Sequence, residues 1–360
     1  MTNTVGIDIA FEAVKVAGLK LTGKSYQLVG LNYTPSPKDC WTSEELKNRD
    51  ELAKIIQDSL RTAKPSGIPG HHAMVALPES VVYSSFFALP NIPKKDLAQA
   101  LPFEIADRMS INPDEYIIDF EITKSYCQPT MIATSLKSGP NKDKAEAKED
   151  LPDEKDQTAN PVATPAASDG RATTVLAVAA KKTLVDSIIE LCNLAKLELA
   201  GIDIKAASIA RALIPGNDGK MRIVVDLGAN TTGVTVAEGH SPRLISSIPI
   251  GTESYLTEGS EDLSKFRSTG APIFDELVHV TKFFENRICP GAKIENIVIT
   301  GGGSNVASIA DFFQKETGLK AVIGDAFSQI DTHHFPIPEK MAHKFADAIG
   351  LAMRKISSVQ

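Results

Sequence analysis

The sequence lacks the features that mark several classes of protein. Its 360 residues carry a formal net charge of -7, so they offer no basic field for nucleic acid or anionic lipid. No apolar run approaches the roughly 18 residues that a membrane-spanning helix needs, and we expect no signal peptide before the first strand. We therefore expect no nucleic-acid partner and no direct membrane insertion. The sequence predicts a cytoplasmic protein, free or peripheral to the inner face of the cell membrane.

Cysteines are few and scattered along the chain. Cys40, Cys127, Cys192 and Cys289 form no C-x-x-C pair. This spacing predicts isolated thiols in a reducing compartment and argues against a zinc or redox site. The chain is also too long for one small core, and its length suits two lobes of about 150 residues each.

Residues 138–171 contain no aromatic side chain. Lys, Glu and Asp alternate in the first half of this segment, and Ala, Pro, Thr and Ser dominate the second half. Such a composition buries too little apolar area to offset the entropy of ordering the chain. We predict a disordered loop within a domain, because a strand at 173–180 and a helix at 184–197 follow directly. An interdomain linker is the alternative.

Three segments, residues 6–15, 225–233 and 299–305, carry the residues suited to chemistry. Each of the first two has an apolar strand that ends in Asp, a short turn and a returning strand. The amides of such a turn form an anion site, and a carboxylate beside it can hold Mg²⁺ through water. The third segment places glycines where a backbone passes close to a base or ribose. Two such hairpins, one from each lobe, would bind a polyphosphate between them.

In order and spacing, the three segments resemble the two phosphate motifs and the adenosine motif of the actin, FtsA and sugar-kinase superfamily. Within it the chain is similar to the PilM family of cytoplasmic actin-like proteins in type IV pilus assembly. Residues 89–97, 101–109 and 112–120 carry this likeness, as do residues 199–208 before the second phosphate motif. The resemblance covers nearly the whole chain apart from the predicted disordered loop.

The resemblance implies an α/β, actin-like (ribonuclease H-like) fold of two lobes. The first lobe would carry an inserted α/β subdomain, and the second a shortened subdomain. The implied boundaries are 1–81, 201–220 and 337–360 for the first-lobe core, 82–200 for the inserted subdomain, and 221–336 for the second lobe, with its reduced subdomain at about 253–271.

The resemblance also implies an ATP-binding adaptor for type IV pilus biogenesis. Members of the family bind the N-terminal cytoplasmic tail of the inner-membrane protein PilN in a groove between the first subdomain and the inserted one. A PilN-like tail is therefore the expected partner, and other pilus assembly proteins are further candidates. An FtsA-like cell-division protein and an ATPase or kinase of the same superfamily are the alternatives.

Site residues follow from the motifs of the family, with ATP and Mg²⁺ as the implied cofactors. Asp8 and Asp226 would be the carboxylates on the Mg²⁺ side, and Lys15 would contact a phosphate. No catalytic residue is predicted. The remaining nucleotide-binding residues are Gly228, Thr231 and Thr232 in the second phosphate turn, and Gly301, Gly302, Gly303 and Ser304 along the adenosine.

The chain departs from the family pattern at the first phosphate turn and at the water-orienting position. Glu12 puts a negative charge beside the expected phosphate, which costs about 3 kcal/mol if both face inward at ~5 Å. An outward-pointing Glu12 is the alternative. No glutamine near residues 198–208 is placed to orient an attacking water, and Glu198 and Asp203 are the nearest substitutes. We predict nucleotide binding with at most weak hydrolysis, and a protein that has lost its nucleotide stays a further alternative.

Overall fold

The computed structural model describes residues 3–69, 72–89, 94–123, 173–216, 218–255, 263–337 and 339–354. The predicted disordered loop at 138–171 lies outside these residues. The described strands are β1 (Asn3–Ile9), β2 (Ala13–Thr22), β3 (Ser25–Pro35), β4 (Lys64–Pro65), β5 (His72–Leu77), β6 (Tyr83–Leu89), β7 (Tyr116–Thr123), β8 (Thr173–Lys181), β9 (Glu198–Ile204), β10 (Met221–Leu227), β11 (Thr232–Glu238), β12 (Ser241–Ile248), β13 (Ile294–Thr300), β14 (Ala321–Ile323) and β15 (Ile330–Asp331).

The helices alternate with these strands. None of those described is long and apolar enough to cross a membrane. They are α1 (Arg49–Thr62), α2 (Lys94–Met109), α3 (Lys182–Leu194), α4 (Lys205–Leu213), α5 (Thr252–Tyr255), α6 (Leu263–Thr269), α7 (Ala271–Phe283), α8 (Ile309–Thr317), α9 (Glu339–Ala342) and α10 (Ala346–Ala352).

The first sheet has the order β15-β3-β2-β1-β5-β9, with β4 paired to β3. Its central strand β1 runs antiparallel to β2 and parallel to β5. Side chains alternate along β1, so Val5, Ile7 and Ile9 share one face, and all three are buried in the main core. Leu52 and Ile56 of α1 belong to the same core, which places α1 against this face.

The second sheet has the order β12-β11-β10-β13-β14 and repeats the design of the first. Strand β10 runs antiparallel to β11 and parallel to β13, as β1 does with β2 and β5. An aromatic cluster lies beside this sheet, where Phe266 contacts Phe274 and Phe313 at ring-centroid distances of 5.9 Å each. Two similar sheets, each with a hairpin followed by a parallel strand, agree with the predicted two-lobed architecture.

A smaller third sheet, β6-β8-β7, lies within the predicted inserted subdomain. Leu101 and Ile105 of α2 pack with Val175 of β8 in a separate core. Helix α3 packs against α1, and β9 pairs with β5, so both extend the first lobe, although α3 and the first residues of β9 precede residue 201. The predicted boundaries of the subdomain remain a prediction, and these contacts favour an earlier end near residue 181.

The cysteines differ from the sequence-based expectation. Cys40 and Cys192 are free and buried, whereas Cys289 is disulfide-bonded, contrary to the expectation of four isolated thiols. The spacing of cysteines along the chain does not report such a pairing in space.

A buried ion pair lies where the second sheet meets the third. Arg243 of β12 contacts Glu238 of β11 at 2.7 Å, and their side chains are 2% and 0% exposed. The Arg243 guanidinium carbon lies 5.5 Å from the ring centroid of Phe86 in β6. The pair therefore packs against the inserted subdomain as well as joining its own two strands.

Helix α10 touches β1 and α4 through backbone atoms. A Cβ atom added at Gly350 would lie 1.8 Å from the Ser208 oxygen of α4, and one at Gly6 would lie 1.9 Å from the Ala348 oxygen. Glycine is required at both positions because any side chain would collide with main-chain atoms. This close approach fixes α10 beside the Asp-tipped end of β1.

Candidate functional site

The turns of the two Asp-tipped hairpins face one cavity of ≈ 260 Å³. Residues 10–12 join β1 to β2, and residues 228–231 join β10 to β11. Asp8 and Asp226, which end the two outgoing strands, both lie in the cavity wall. The predicted site residues that line it are Asp8, Lys15, Asp226, Gly228, Thr231, Gly301 and Gly302.

The other three predicted residues, Thr232, Gly303 and Ser304, lie behind the wall. Thr232 is fully buried, and its hydroxyl donates to the Ile250 carbonyl at 2.7 Å. Gly303 packs against Leu227, and the Ser304 hydroxyl donates to the Gly301 carbonyl at 2.7 Å. Their contacts shape the turns, whereas the prediction had placed them against the nucleotide.

The two aspartates near the ends of β1 and β10, Asp8 and Asp226, are each paired with a lysine. Lys15 Nζ lies 2.7 Å from Asp8 Oδ2, and Lys205 Nζ lies 2.7 Å from Asp226 Oδ2. Lys205 begins α4, directly after β9 of the first sheet, so its pair with Asp226 crosses from one lobe to the other. Burial alone would lower the pKa of Lys205, but Asp226 and then Asp8 raise it well above its usual value. The lysine is therefore charged.

Asp347 of α10 is a further carboxyl in the cavity wall and is 3% exposed. The Ser208 hydroxyl donates to its Oδ1. Burial, and then the charge of Asp8, raise the pKa of Asp347 well above its usual value. Burial also acts on Asp8, but Lys15 and Lys205 outweigh it and lower the pKa of Asp8. The neighbouring carboxyls therefore differ, because the pKa of Asp8 is lowered whereas that of Asp347 is raised.

The raised pKa of Asp347 makes stability depend on pH. A carboxyl whose pKa is raised in the folded state stabilises fully below its unfolded pKa near 4, and this contribution is lost as pH rises through the folded pKa. We expect Asp347→Asn to remove this loss. The free energy of unfolding of the variant, relative to that of the wild type, should therefore rise between about pH 5 and about pH 8. A pKa difference of one corresponds to ~1.4 kcal/mol, and we expect a gain of at least that order.

Urea unfolding at the two pH values measures this gain. Asp58→Asn, at a carboxyl whose side chain is 67% exposed, is the control and should shift stability equally at both. An equal effect of Asp347→Asn at both pH values would contradict the raised pKa of Asp347.

Gly301 lies where the third segment passes the second hairpin. Its φ is +83°, and an added Cβ would lie 2.4 Å from Asp226 Oδ1 and 2.6 Å from the Leu227 oxygen. This close passage, together with the two turns and the lysines, fits a nucleotide whose phosphates lie between the turns. The fit to Mg²⁺ is poor, because both predicted carboxylates are occupied by lysines. Within the described ranges, no group of three or more His, Cys, Asp or Glu side chains could hold a metal.

The structure also gives the positions of the residues at which the sequence departs from the family pattern. Glu12 lies in the cavity wall with its side chain exposed to solvent, and Lys38 Nζ lies 5.3 Å from the Phe11 ring centroid. Asp203 is paired with arginine side chains, at 2.8 Å from Arg211. Glu198 lies 3.2 Å from His72. Neither Asp203 nor Glu198 lines the cavity, so the structure does not place them as substitutes for a water-orienting glutamine.

The sequence motifs did not identify Lys205, Asp347 or Glu79 as site residues. Glu79 is buried near Lys205, and its burial raises its pKa. A signal was present for two of them. Lys205 directly follows a strand within a segment that resembles the family, and Asp347 is the single charged residue among seven in α10.

A second cavity, of ≈ 440 Å³, forms a groove between the third sheet and the first lobe. Among the described strands, β7 and β9 are edge strands of their sheets, and both line this groove. Asp119, Glu121, Asp203 and Arg354 supply its charged groups. Its apolar lining residues include Ile117, Phe120, Leu176, Val178, Ile202, Ile204 and Ala207.

Comparison with known proteins supports the fold and the resemblance. Residues 6–162 match the family model of the type IV pilus assembly protein PilM. A solved structure of the PilM-PilN type IV pilus biogenesis complex contains a chain with the same fold, with a TM-score of 0.72 at 19% identity and 98% of both chains covered. No curated protein sequence matches. The chain has the predicted actin-like fold.

Two further solved structures match this chain with lower TM-scores. The ethanolamine utilization protein EutJ from Carboxydothermus hydrogenoformans has a TM-score of 0.46 at 13% identity, over 98% of this chain and 90% of EutJ. A Bacteroides thetaiotaomicron protein of unknown function with an actin-like ATPase fold has a TM-score of 0.46 at 9% identity, over 98% of this chain and 96% of its own.

Proposed function

We propose that this chain, which resembles the type IV pilus assembly protein PilM, is an actin-like adaptor that binds the cytoplasmic N-terminal tail of a PilN-like inner-membrane protein. The observation that carries the proposal is the PilM family match at residues 6–162, together with a fold shared over 98% of the chain with a chain of the PilM-PilN complex. The family match favours this role over the FtsA-like and kinase alternatives. Binding such a tail would hold the protein at the inner face of the membrane, where other pilus assembly proteins are further candidate partners.

The groove between β7 and β9 is the proposed site for the tail. Edge strands present backbone N–H and C=O groups that an extended peptide can pair with, and apolar side chains of the groove can receive alternate residues of that peptide. Ile117 of β7 lines the groove and is 45% exposed, although it is a large apolar side chain. Its exposed surface would be covered by the tail.

We expect Ile117→Glu to weaken tail binding at least about tenfold, because it replaces apolar contact with a charge that must be desolvated. Ile122→Glu is a matched control, since Ile122 lies on the same strand, is 44% exposed and does not line the groove. That variant should change the affinity less than about threefold, a difference below ~1 kcal/mol.

Fluorescence anisotropy with a labelled synthetic tail of a PilN-like protein from the same organism measures both affinities. Far-UV circular dichroism should show that both variants keep the native fold, because both side chains are already partly exposed. Equal affinities of the two variants would remove the groove as the site, and absence of tail binding by the wild type would overturn the proposed function.

ATP is the proposed ligand of the cavity between the lobes. The turns at 10–12 and 228–231 would hold the phosphates, and Gly301 and Gly302 would lie beside the adenosine. Bound ATP would supply phosphoanhydride bonds, and we propose that hydrolysis of those bonds is weak at most. The carboxylates of Asp8 and Asp226, which the family motifs assign to Mg²⁺, hold lysines instead. Titration calorimetry with ATP tests this ligand independently of the tail.

A further inference from the structure

The cavity between the lobes contains two ammonium groups where the family motifs imply a divalent cation. Lys15 Nζ and Lys205 Nζ each lie 2.7 Å from an oxygen of Asp8 and Asp226 respectively. The two lysine side chains are only 13% and 18% exposed, so they are part of the wall and not of the outer surface. These short contacts occupy the carboxylates through which Mg²⁺ would be held.

From this geometry we infer that Lys205, with Lys15, replaces Mg²⁺ as the cation that binds the phosphates, so nucleotide binding by this chain is largely independent of divalent cations. The inference rests on the proposed binding of ATP. It assigns to Lys205 a phosphate-binding role that the three nucleotide motifs do not contain.

The chemistry of the lysine side chain suits this role. An ammonium group has three N–H donors and no acceptor, so one donor can stay on Asp226 while two remain for phosphate oxygens. Hydrated Mg²⁺ presents the same sequence of charges, with the cation between a carboxylate and a phosphate. Lys205 can therefore stand in that place without any rearrangement of Asp226.

The same lysines oppose the entry of Mg²⁺. A divalent cation beside Asp8 or Asp226 would face an ammonium group a few ångströms away, in a partly buried site where charges are weakly screened. A hydrated cation that approached the same carboxylate oxygen would also have to displace the lysine from it. Lys205 resists displacement, because it bridges the lobes and lies near the charges of both Asp226 and Asp8.

Titration calorimetry of the full chain with ATP, in excess MgCl₂ and in excess EDTA, tests the inference. The wild type should bind ATP with affinities that differ less than about threefold between the two buffers. Lys205→Met should bind ATP at least about thirtyfold more weakly than the wild type in EDTA. Most of this affinity should return with MgCl₂, because Asp226 then becomes available to the cation. Lys205→Arg keeps the charge and should bind in both buffers.

Lys220→Met is the matched control, because Lys220 also pairs with a carboxylate, at 2.7 Å from Glu295, but its side chain is 50% exposed and lies outside the cavity. It should behave as the wild type in both buffers. Wild-type binding that is strong in MgCl₂ and lost in EDTA would overturn the inference alone and leave the proposed ATP site intact. Absence of ATP binding in both buffers would overturn both, whereas the tail-binding measurement would be unaffected. The wild-type comparison decides the matter even if Lys205→Met fails to fold.

Discussion

Gly301→Ala should weaken ATP binding about a hundredfold and destabilise the protein. The residue has φ of +83°, where a side chain costs about 1–3 kcal/mol in backbone strain. The new Cβ would also lie 2.4 Å from Asp226 Oδ1 and 2.6 Å from a main-chain oxygen of Leu227, so the second hairpin would have to shift. We expect a loss of at least ~3 kcal/mol in the free energy of unfolding, from strain and overpacking together.

The effect on ATP should be as large, because the displaced Asp226 is the partner of Lys205. A loss of about a hundredfold in ATP affinity corresponds to ~2.7 kcal/mol, less than the distortion expected at the hairpin. Urea unfolding and titration calorimetry measure the two losses.

Gly302→Ala provides a stringent control, since it lies one residue away in the same cavity wall. The nearest atom to its added Cβ is Lys344 Cε at 3.8 Å, an ordinary contact. We expect the free energy of unfolding of this variant to lie within about 1 kcal/mol of that of the wild type. Equal losses at the two positions would show that the close passage of Gly301 beside Asp226 is not what the site depends on.

Arg243→Met should lower the free energy of unfolding by about 3–5 kcal/mol, because it removes the ion-pair partner of the fully buried Glu238 carboxylate. Both side chains are almost fully buried, and the Arg243 Nη2 and Nε atoms lie 2.7 Å and 3.1 Å from Glu238 Oε2. Methionine keeps most of the volume of the arginine stem against Phe86, so the loss isolates the charge. Chemical denaturation at neutral pH measures it.

Two companion variants distinguish burial from ion pairing as such. Glu238→Gln combined with Arg243→Met removes both charges and should recover a large part of the lost stability. Arg222→Met breaks a pair with Asp218, whose side chain is 41% exposed, and should cost at most ~1 kcal/mol because water screens that pair. A similar cost for Arg222→Met and Arg243→Met would contradict the explanation.

The sequence was most informative where structure is local. A strand has a side-chain period of two, and a short turn fixes the register of the returning strand. The antiparallel partner of Asp8 is Lys15, seven residues away, and the partner of Asp226 is Gly233. Both hairpins could therefore be predicted from their residues, and the resemblance to a known family supplied the expectation that they face each other.

The residues that the sequence did not identify are positioned by contacts across long stretches of chain. Lys205 pairs with Asp226 through the packing of α4 between the lobes, and Asp347 meets Ser208 across 139 residues. No spacing rule connects such positions. Thr232, Gly303 and Ser304 are the opposite case, because they lie in the predicted motifs but do not line the cavity. A motif specifies the path of the backbone and leaves open which of its side chains face the ligand.

The contact between β1 and α10 has a consequence for folding kinetics. Gly6 and Ala348 touch through their backbones although more than 300 residues separate them, so this wall of the cavity closes only after most of the chain is in place. Early folding intermediates would then not bind nucleotide. ATP would add nothing to the rate at which the chain folds and would act by slowing the opening of the finished protein.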